Sequence, residues 1–191
     1  DWDGPFISDL EHDGFDSHLA YRGRTGEWLL APDRTLAGPA MDQEDLPLPF
    51  GGRFLDGSAG DLGLWGLRTG TIALQSVATG RKATFKWGGR PGDILVPGDY
   101  DGDGYDEIGV WQRTDRTWYW RHAPDGPTSR ATFGTDTSIP VPADYNHDGR
   151  VDLAYWEPSQ GRIFVSFNQG RSVDRIVPVP PHSIPAFVNM Y

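Results

Sequence analysis

The chain has 191 residues, a formal net charge of −10 and no cysteine. The absence of cysteine excludes disulfide bonds, zinc–thiolate sites and thiol catalysis, and an acidic chain without a basic run is a poor binder of nucleic acid or of an anionic membrane. The 25 glycines and 16 prolines, with an aromatic content of 13%, favour short strands joined by tight turns over disorder. The sequence contains no signal peptide and no apolar stretch long enough to span a membrane.

The sequence repeats itself at a period near 45 residues, which is typical of propeller blades. Tyr21, Trp65, Trp111 and Trp156 end equivalent predicted strands, and the turn residues between strands recur with them. No segment shows a sustained helical period. We therefore predict four repeats of four short strands each, at about 5–46, 47–92, 93–137 and 138–181.

The first repeat has strands predicted over 6–10, 18–21 and 28–30, and an irregular connector over 33–46 follows them. The loop between its first two strands, residues 9–17, carries oxygen-bearing side chains at positions one, three, five and nine. The residue at position three is longer than the Asp or Asn of the later copies, and a serine is a weak ninth ligand. This loop is a candidate third cation site, with ligands from Asp9, Glu11, Asp13, Ser17 and the Phe15 carbonyl.

The second repeat has lost the acidic loop. Its strands are predicted over 46–50, 62–65, 71–74 and 82–85. Loop positions one, three, five and nine hold one acid, two neutral residues and a cation that stands where a ligand should be. We expect no calcium at this copy, whose four positions are Arg53, Leu55, Gly57 and Asp61.

The third repeat contains the strongest motif of the chain, the loop over 99–107. Gly104 at position six permits a sharp turn because it has no Cβ, and Tyr105 at position seven offers its backbone carbonyl. A hard cation such as calcium takes six to eight oxygens, which alternate residues of such a loop supply. The carboxylates at positions one, three, five and nine are Asp99, Asp101, Asp103 and Glu107, and the strands are predicted over 94–97, 108–111, 117–120 and 130–133.

The fourth repeat carries the same loop over 144–152. Position twelve, where an EF-hand has its bidentate Glu, is Val110 in the third repeat and Tyr155 in the fourth, and strands rather than helices follow. The ninth-position acid closes these loops instead. The predicted ligands of the fourth loop are Asp144, Asn146, Asp148, Asp152 and the Arg150 carbonyl, and its strands are predicted over 139–142, 153–156, 162–167 and 173–177.

The C-terminal residues 183–191 align with 138–146, the first strand of a repeat. The sequence therefore predicts one extra strand after the fourth repeat. Because an unpaired apolar strand is an association hazard, we expect it to find an edge. It could close the ring on its own first blade, add to a neighbouring molecule, or be what remains of a longer propeller.

The motifs of repeats three and four resemble those of a known family. Phe133-Gly134, followed by Asp144-Tyr-Asn-His-Asp-Gly149 and Asp152-Leu-Ala154, is similar to the FG-GAP or VCBS repeats of integrin α subunits and many secreted bacterial proteins, and 99–109 is nearly as similar. The resemblance covers about 3–178, is partial in repeat one and weak in repeat two. It implies calcium-loop β-propeller blades, of which the family usually builds seven, whereas this chain has four repeats.

We therefore predict an all-β fold, a single β-propeller domain over 1–191 with four four-stranded blades, calcium-binding loops and the extra strand. Two Ca²⁺ sites are expected, with a third at the first loop. Repeat-equivalent aromatics such as Trp65, Trp111 and Trp118 are expected in the core. Tyr119 or Trp120 is an alternative sugar-stacking residue, because aromatic faces suit pyranose rings.

No motif of the chain points to catalysis. No Gly-x-Ser-x-Gly, His-Glu-x-x-His or phosphate loop is present, and no two histidines share a metal-binding spacing such as i, i+4. His12 and His147 both stand at loop position four, where exposure is expected and a pH-sensitive contact is the alternative. We do not expect an enzyme. The five histidines are His12, His18, His122, His147 and His182.

Two functions remain open. The first is a secreted or cell-surface binding module, with a protein or a glycan as its ligand. The second is a self-assembling filament or surface-layer protein, in which 183–191 completes a neighbouring subunit by adding a strand. Low-affinity calcium loops are expected outside the cell, where free calcium is millimolar.

Overall fold

The computed structural model describes residues 3–8, 17–31, 34–55, 60–167 and 169–180. Within them sixteen strands form four antiparallel sheets, and each sheet consists of four strands in chain order. Each sheet is a four-stranded blade of the predicted kind. The prediction of an all-β β-propeller fold with four four-stranded blades is confirmed.

The first two blades occupy the first half of the chain. Blade one consists of β1 (Asp3–Ser8), β2 (Ser17–Arg22), β3 (Glu27–Leu30) and β4 (Arg34–Leu36). Blade two consists of β5 (Pro47–Gly52), β6 (Asp61–Gly66), β7 (Thr71–Ser76) and β8 (Lys82–Lys86).

The last two blades carry the two strong loops. Blade three consists of β9 (Asp93–Leu95), β10 (Ile108–Gln112), β11 (Thr117–Arg121) and β12 (Ser129–Thr132). Blade four consists of β13 (Ile139–Pro140), β14 (Leu153–Glu157), β15 (Arg162–Ser166) and β16 (Arg175–Pro178).

The irregular connector predicted over 33–46 was partly wrong. It contains β4, which pairs with β3 and completes the first blade, and a 3₁₀ turn over Gln43–Asp45. With three residues, β4 is too short for its alternation to be read from sequence. The connector also contains the acidic residues of 42–45, and one of them is internal, because the buried Asp45 carboxylate accepts hydrogen bonds from the Arg68 and Thr69 amides at 3.1 and 2.9 Å.

The repeat period is visible as one cross-strand pair in every blade. The second and third strands of each blade place equivalent residues opposite each other, and these mostly aromatic side chains fill the blade interior. Seven of the eight are buried and Trp156 is half-buried. The pairs are Tyr21↔Trp28, Trp65↔Ile72, Trp111↔Trp118 and Trp156↔Ile163.

The described residues fall into two compact units, one ending at Arg90 and the other beginning at Pro91. In the first unit, Leu62 and Leu64 of blade two join a buried cluster with Tyr21 and Trp28 of blade one. In the second unit, Tyr155 of blade four packs edge-on against Phe133, which follows β12, with ring centroids 4.9 Å apart. Each unit thus has a core to which two blades contribute.

Residues 183–191 lie outside the described residues, so the extra strand and its pairing stay a prediction. In the part of the chain that the structure does describe, no helix has the length and apolar character needed to cross a membrane.

Candidate metal centres

Two loops with the same geometry connect the first and second strands of blades three and four. Loop A (Asp99–Glu107) joins β9 to β10, and loop B (Asp144–Asp152) joins β13 to β14. An isolated antiparallel bridge at the ninth position holds the ends of each loop together, Gly98↔Glu107 and Ala143↔Asp152. The glycine at position six has a φ of 88° in loop A and 87° in loop B, which confirms the predicted turn.

The closing carboxylate of each loop is buried and holds the loop through a backbone amide. Glu107 Oε2 accepts a hydrogen bond from the Tyr100 amide at 2.7 Å, and Asp152 Oδ2 accepts one from the Tyr145 amide at 2.9 Å. Blade two has the same contact, because Asp61 Oδ2 accepts from the amide of Phe54, also a second-position residue, at 2.6 Å. The ninth-position acid therefore organises its loop even in the copy that has lost the other acids.

A tyrosine at the second loop position anchors each loop to the segment that precedes it. The Tyr100 hydroxyl donates to the Val96 carbonyl at 2.6 Å, and the Tyr145 hydroxyl donates to the Val141 carbonyl at 2.9 Å. Tyr100 also packs on Trp120, with ring centroids 5.3 Å apart. Trp120 is buried, so its face is used for packing and is closed to a sugar ring.

The aspartates of loop A are oriented by backbone amides of the same loop. Asp99 accepts from the Gly102 and Gly104 amides at 2.6 and 2.8 Å, Asp101 from the Asp103 amide at 3.1 Å, and Asp103 from the Tyr105 amide at 2.8 Å. Each contact uses an oxygen that retains a second lone pair. The hydrogen bonds therefore fix the carboxylates without exhausting their capacity to bind a cation.

Loop B is organised in the same way. Asp144 accepts from the Asp148 and Gly149 amides at 3.2 and 3.0 Å, and Asp148 accepts from the Arg150 amide at 3.0 Å. The Asn146 side-chain amide donates to Asp148 Oδ2 at 2.9 Å, so its carbonyl oxygen remains the ligand atom that position three can offer. Among described residues of this loop, the donors toward a cation are all oxygens.

Sequence reasoning missed one residue of loop A. His122, which follows β11, places its Nε2 atom 3.1 Å from Glu107 Oε1, 3.2 Å from Asp101 Oδ2 and 3.6 Å from Asp103 Oδ2. Ligand atoms of these four residues all lie within 4.8 Å of one another. A search for i, i+4 spacing could not find His122, because a strand pairing rather than sequence proximity brings it to the loop.

The charges at loop A shift two pKa values. Burial raises the pKa of Glu107 to about 7, and the Asp101 and Asp99 charges add to this rise while the Tyr100 amide opposes it. Burial alone would lower the pKa of His122, but the nearby carboxylates raise it overall. The site thus concentrates negative charge that a bound cation would neutralise.

The corresponding shifts in loop B are smaller. Burial raises the pKa of Asp152, and the Asp148 and Asp144 charges raise it further. For Asp144, burial is outweighed by hydrogen bonds from the Gly149, His147 and Asp148 amides, which lower its pKa. The first-position acid is therefore held ionised by the loop backbone.

The two loops contact each other within the second unit. The Arg150 side chain of loop B donates from Nε to the Asp101 carbonyl at 2.9 Å, and the Val151 amide donates to the Asp99 carbonyl at 2.6 Å. The sequence suggested only the backbone carbonyl of Arg150 as a ligand. Its side chain has a separate role, since it connects one loop to the other.

The donor set of loop A fits a bound cation. Glu107 Oε1 is buried and accepts no hydrogen bond in the described structure, while the half-exposed Asp101 and Asp103 carboxylates face the same point. His122 Nε2 lies 3.1 Å from this oxygen as an ion-pair partner, but a buried carboxylate oxygen that lacks an aligned hydrogen bond is still costly, and a cation ligated there would remove that cost.

The remaining predicted ligands are placed as follows. Tyr105 lies on the surface of loop A, and His147 at position four of loop B is exposed with a left-handed φ of 62°. Of the first-repeat candidates, Ser17 begins β2, whereas Asp9, Glu11, Asp13 and Phe15 lie outside the described residues.

Comparison with known proteins identifies the repeat. No curated protein and no solved structure matched the chain. A family model did match, that of the FG-GAP-like repeat, over residues 99–155. This segment runs from the start of loop A to the middle of β14 and includes all of loop B, so the resemblance stated from sequence is confirmed for these residues. Residues 99–155 of this chain are similar to an FG-GAP-like repeat.

Proposed function

We propose that loops A and B each bind a calcium ion and that the propeller is a non-enzymatic binding module. One observation carries the calcium assignment: in loop A ligand oxygens of Asp101, Asp103 and the buried Glu107 lie within 4.8 Å of one another, and loop B repeats the amide contact that holds the closing carboxylate. Bound calcium supplies charge neutralisation and cross-linking of the loop. The ligands would be Asp99, Asp101, Asp103, Glu107 and the Tyr105 carbonyl in loop A, and Asp144, Asn146, Asp148, Asp152 and the Arg150 carbonyl in loop B.

The ions would support structure rather than act as switches. Each loop joins two strands of one blade, so it has no helix pair that could swing open as in an EF-hand. Mutual repulsion of the clustered carboxylates disfavours the folded loop. A bound dication would replace this repulsion with attraction between the ion and each carboxylate. Calcium binding is therefore expected to be coupled to the stability of the second unit.

A shallow cleft beside loop B is the surface that favours a ligand. Loop-B residues form one wall, and the exposed ring of Phe167 borders the cleft. Aromatic faces beside polar groups suit both sugars and peptides, so the proposed ligand is a glycan or a protein met outside the cell. The lining residues are Tyr100, Asp148, Arg150, Val151, Asp152, Leu153, Ser166, Phe167 and Gln169.

Binding to a glycan array and to extracellular proteins, with calcium and with chelator, tests this proposal. Phe167→Ala should abolish binding. Leu67→Ala is a matched control, because Leu67 is 37% exposed and Phe167 38%, but Leu67 lies in the first unit. Unchanged binding by the Phe167 variant, or binding that survives removal of calcium, would contradict this site.

Self-assembly through 183–191 is the second candidate. It is favoured by apolar exposure near the edge of blade four, where Ile176 of β16 is 49% exposed and Val173 is 46% exposed. An exposed apolar edge is a template for an added strand. Light scattering of the full chain and of a chain ending at 182 separates the candidates, since only an assembly would lose mass beyond that of the deleted residues.

A further inference from the structure

The position of His122 follows from strand register. Extending the pairing of β10 with β11 by one residue puts His122 opposite Glu107. The same extension in blade four puts Phe167 opposite Asp152. The two loops therefore share their acids but differ at the residue facing the closing carboxylate, an imidazole in one and a benzyl group in the other.

His122 forms a hydrogen bond with Asp101 and ion-pair contacts with Glu107 and Asp103, and the same spacing suits ligands that share one ion. Its Nε2 atom lies 3.1–3.6 Å from single oxygens of Glu107, Asp101 and Asp103. Two ligands with metal bonds of about 2.1 Å in a tetrahedral site stand about 3.4 Å apart. The buried Glu107 Oε1 atom contacts His122 Nε2 at 3.1 Å without an aligned hydrogen bond, and a metal ion bound by both atoms would satisfy both.

An imidazole changes which ion such a site prefers. Calcium prefers oxygen ligands throughout, whereas imidazole nitrogen together with carboxylates suits zinc and other borderline dications. The histidine of loop B, His147, is exposed at position four, and among the described residues no imidazole joins the Asp152 carboxylate in a cluster of potential metal ligands. The same acidic loop would thus bind different classes of metal ion, depending on whether His122 or Phe167 faces its closing carboxylate.

We propose that loop A, with His122 as a ligand beside Asp101, Asp103 and Glu107, also accepts a borderline transition-metal dication such as zinc in place of calcium, whereas loop B accepts calcium alone. This inference rests on the proposed function to the extent that loop A must hold a cation. It adds a ligand from outside the loop and a difference in selectivity between two loops that look alike in sequence.

The test uses the full chain after removal of metals with chelator. Zinc and calcium binding are measured separately by calorimetry, and cobalt(II) absorption reports nitrogen ligation. Three proteins are compared: the parent, His122→Phe, which carries the residue of blade four, and Phe167→His, which installs the imidazole at loop B. Thermal melting in chelator checks that each variant folds.

We expect zinc to bind the parent at loop A, and His122→Phe to weaken zinc at least tenfold while calcium affinity changes less than threefold. Phe167→His should strengthen zinc binding at loop B about tenfold. Equal zinc affinity in the parent and His122→Phe would overturn the inference, as would tighter calcium binding by His122→Phe, which would make His122 a competing cation. If loop A binds neither metal in the parent, the proposed function fails at that loop as well.

Discussion

A buried acid at loop position nine has two separable tasks. In blade two it accepts amide hydrogen bonds without the other loop acids, because Asp61 receives the Phe54 and Leu55 amides at 2.6 and 2.8 Å. In blade four Asp152 also stands among the proposed calcium ligands. The repeat that lost its ligands thus provides a natural reference for the structural task alone.

The two tasks predict different responses to substitution. Asp61→Ala leaves two buried amides without an acceptor and should cost about 1–3 kcal/mol of unfolding free energy, with calcium or without it. Asp152→Asn keeps an acceptor for the Tyr145 amide but loses the charge, so it should mainly reduce the stabilisation that calcium provides. Urea denaturation with calcium and with chelator measures both. Equal calcium dependence in the two variants would contradict this division.

Glu157 predicts a pH dependence of stability outside the metal loops. Burial would raise its pKa, but hydroxyl donors from Thr135, Ser159 and Thr137 lower it below its ordinary value of 4.5. A lowered folded-state pKa gives stability that is present above about pH 4.5 and is lost as the pH falls through the folded-state value. Glu157→Gln should therefore be less stable than the parent at pH 7, and the gap should close in acid.

Denaturation in chelator at pH 7, 5, 4 and 3 checks this prediction, since chelator removes the contribution of bound calcium. A gap of constant size across the series would show that the Glu157 charge does not contribute.

At the residue scale the sequence predicted what lies within a loop and missed what reaches it from elsewhere. Positions one, three, five and nine are fixed by local spacing, so Asp99 and Asp144 were identifiable. His122 reaches loop A through strand pairing, and the Arg150 side chain reaches the Asp101 carbonyl across 49 residues. Neither contact leaves a local pattern.

At the element scale the two loops are joined rather than independent. Arg150 and the amide of Val151 in loop B donate to the Asp101 and Asp99 carbonyls of loop A. Asp101 and Asp99 are themselves predicted ligands, so ordering of one loop by an ion should favour the ordered form of the other. Coupling between the two loops requires that the contacts made by Arg150 and Val151 contribute a measurable free energy.

Arg150→Ala should remove the side-chain half of this link and leave the Val151 amide contact, lower the unfolding free energy by about 1 kcal/mol, and reduce positive cooperativity between the two calcium sites. Arg113→Ala, which changes an exposed arginine of the same unit, is the control for loss of charge. Calcium titrations by calorimetry measure the cooperativity. If the Arg113 variant weakens cooperativity as much as the Arg150 variant, net charge rather than the contact is responsible.

Element boundaries show why the strands were easier to predict than their ends. The second and third strands of each blade, such as β10 and β11, are apolar or aromatic and were placed within two residues. β4 was missed because Arg34–Leu36 is short and mainly exposed. Tertiary contacts fix the chain just after the fourth strands of blades one and three. The Trp28 indole donates to the Pro39 carbonyl at 2.9 Å after β4, and the Trp118 indole donates to the Phe133 carbonyl at 2.8 Å after β12.

At the scale of the whole molecule, the loops proposed to bind calcium are confined to one of the two units. The net charge is −10, and loops A and B both lie in the second unit, whereas the blade-two loop of the first unit keeps one of its four acids. Removal of calcium should therefore destabilise the second unit more than the first. Hydrogen exchange with chelator should show faster exchange in β10, β11, β14 and β15 than with calcium, and little change in β6 and β7. Uniform acceleration across all blades would contradict this.

The central claim is that loops A and B bind calcium, and calorimetric titration of the metal-free chain tests it most directly. The loop-A variant is Asp101→Asn with Asp103→Asn, and the loop-B variant is Asp144→Asn with Asp148→Asn. Asparagine retains the acceptors for loop amides and already occupies position three of loop B, at Asn146. We predict that each variant binds one calcium ion fewer than the parent. Unchanged stoichiometry in both variants, or no calcium binding by the parent at millimolar concentration, would contradict the claim.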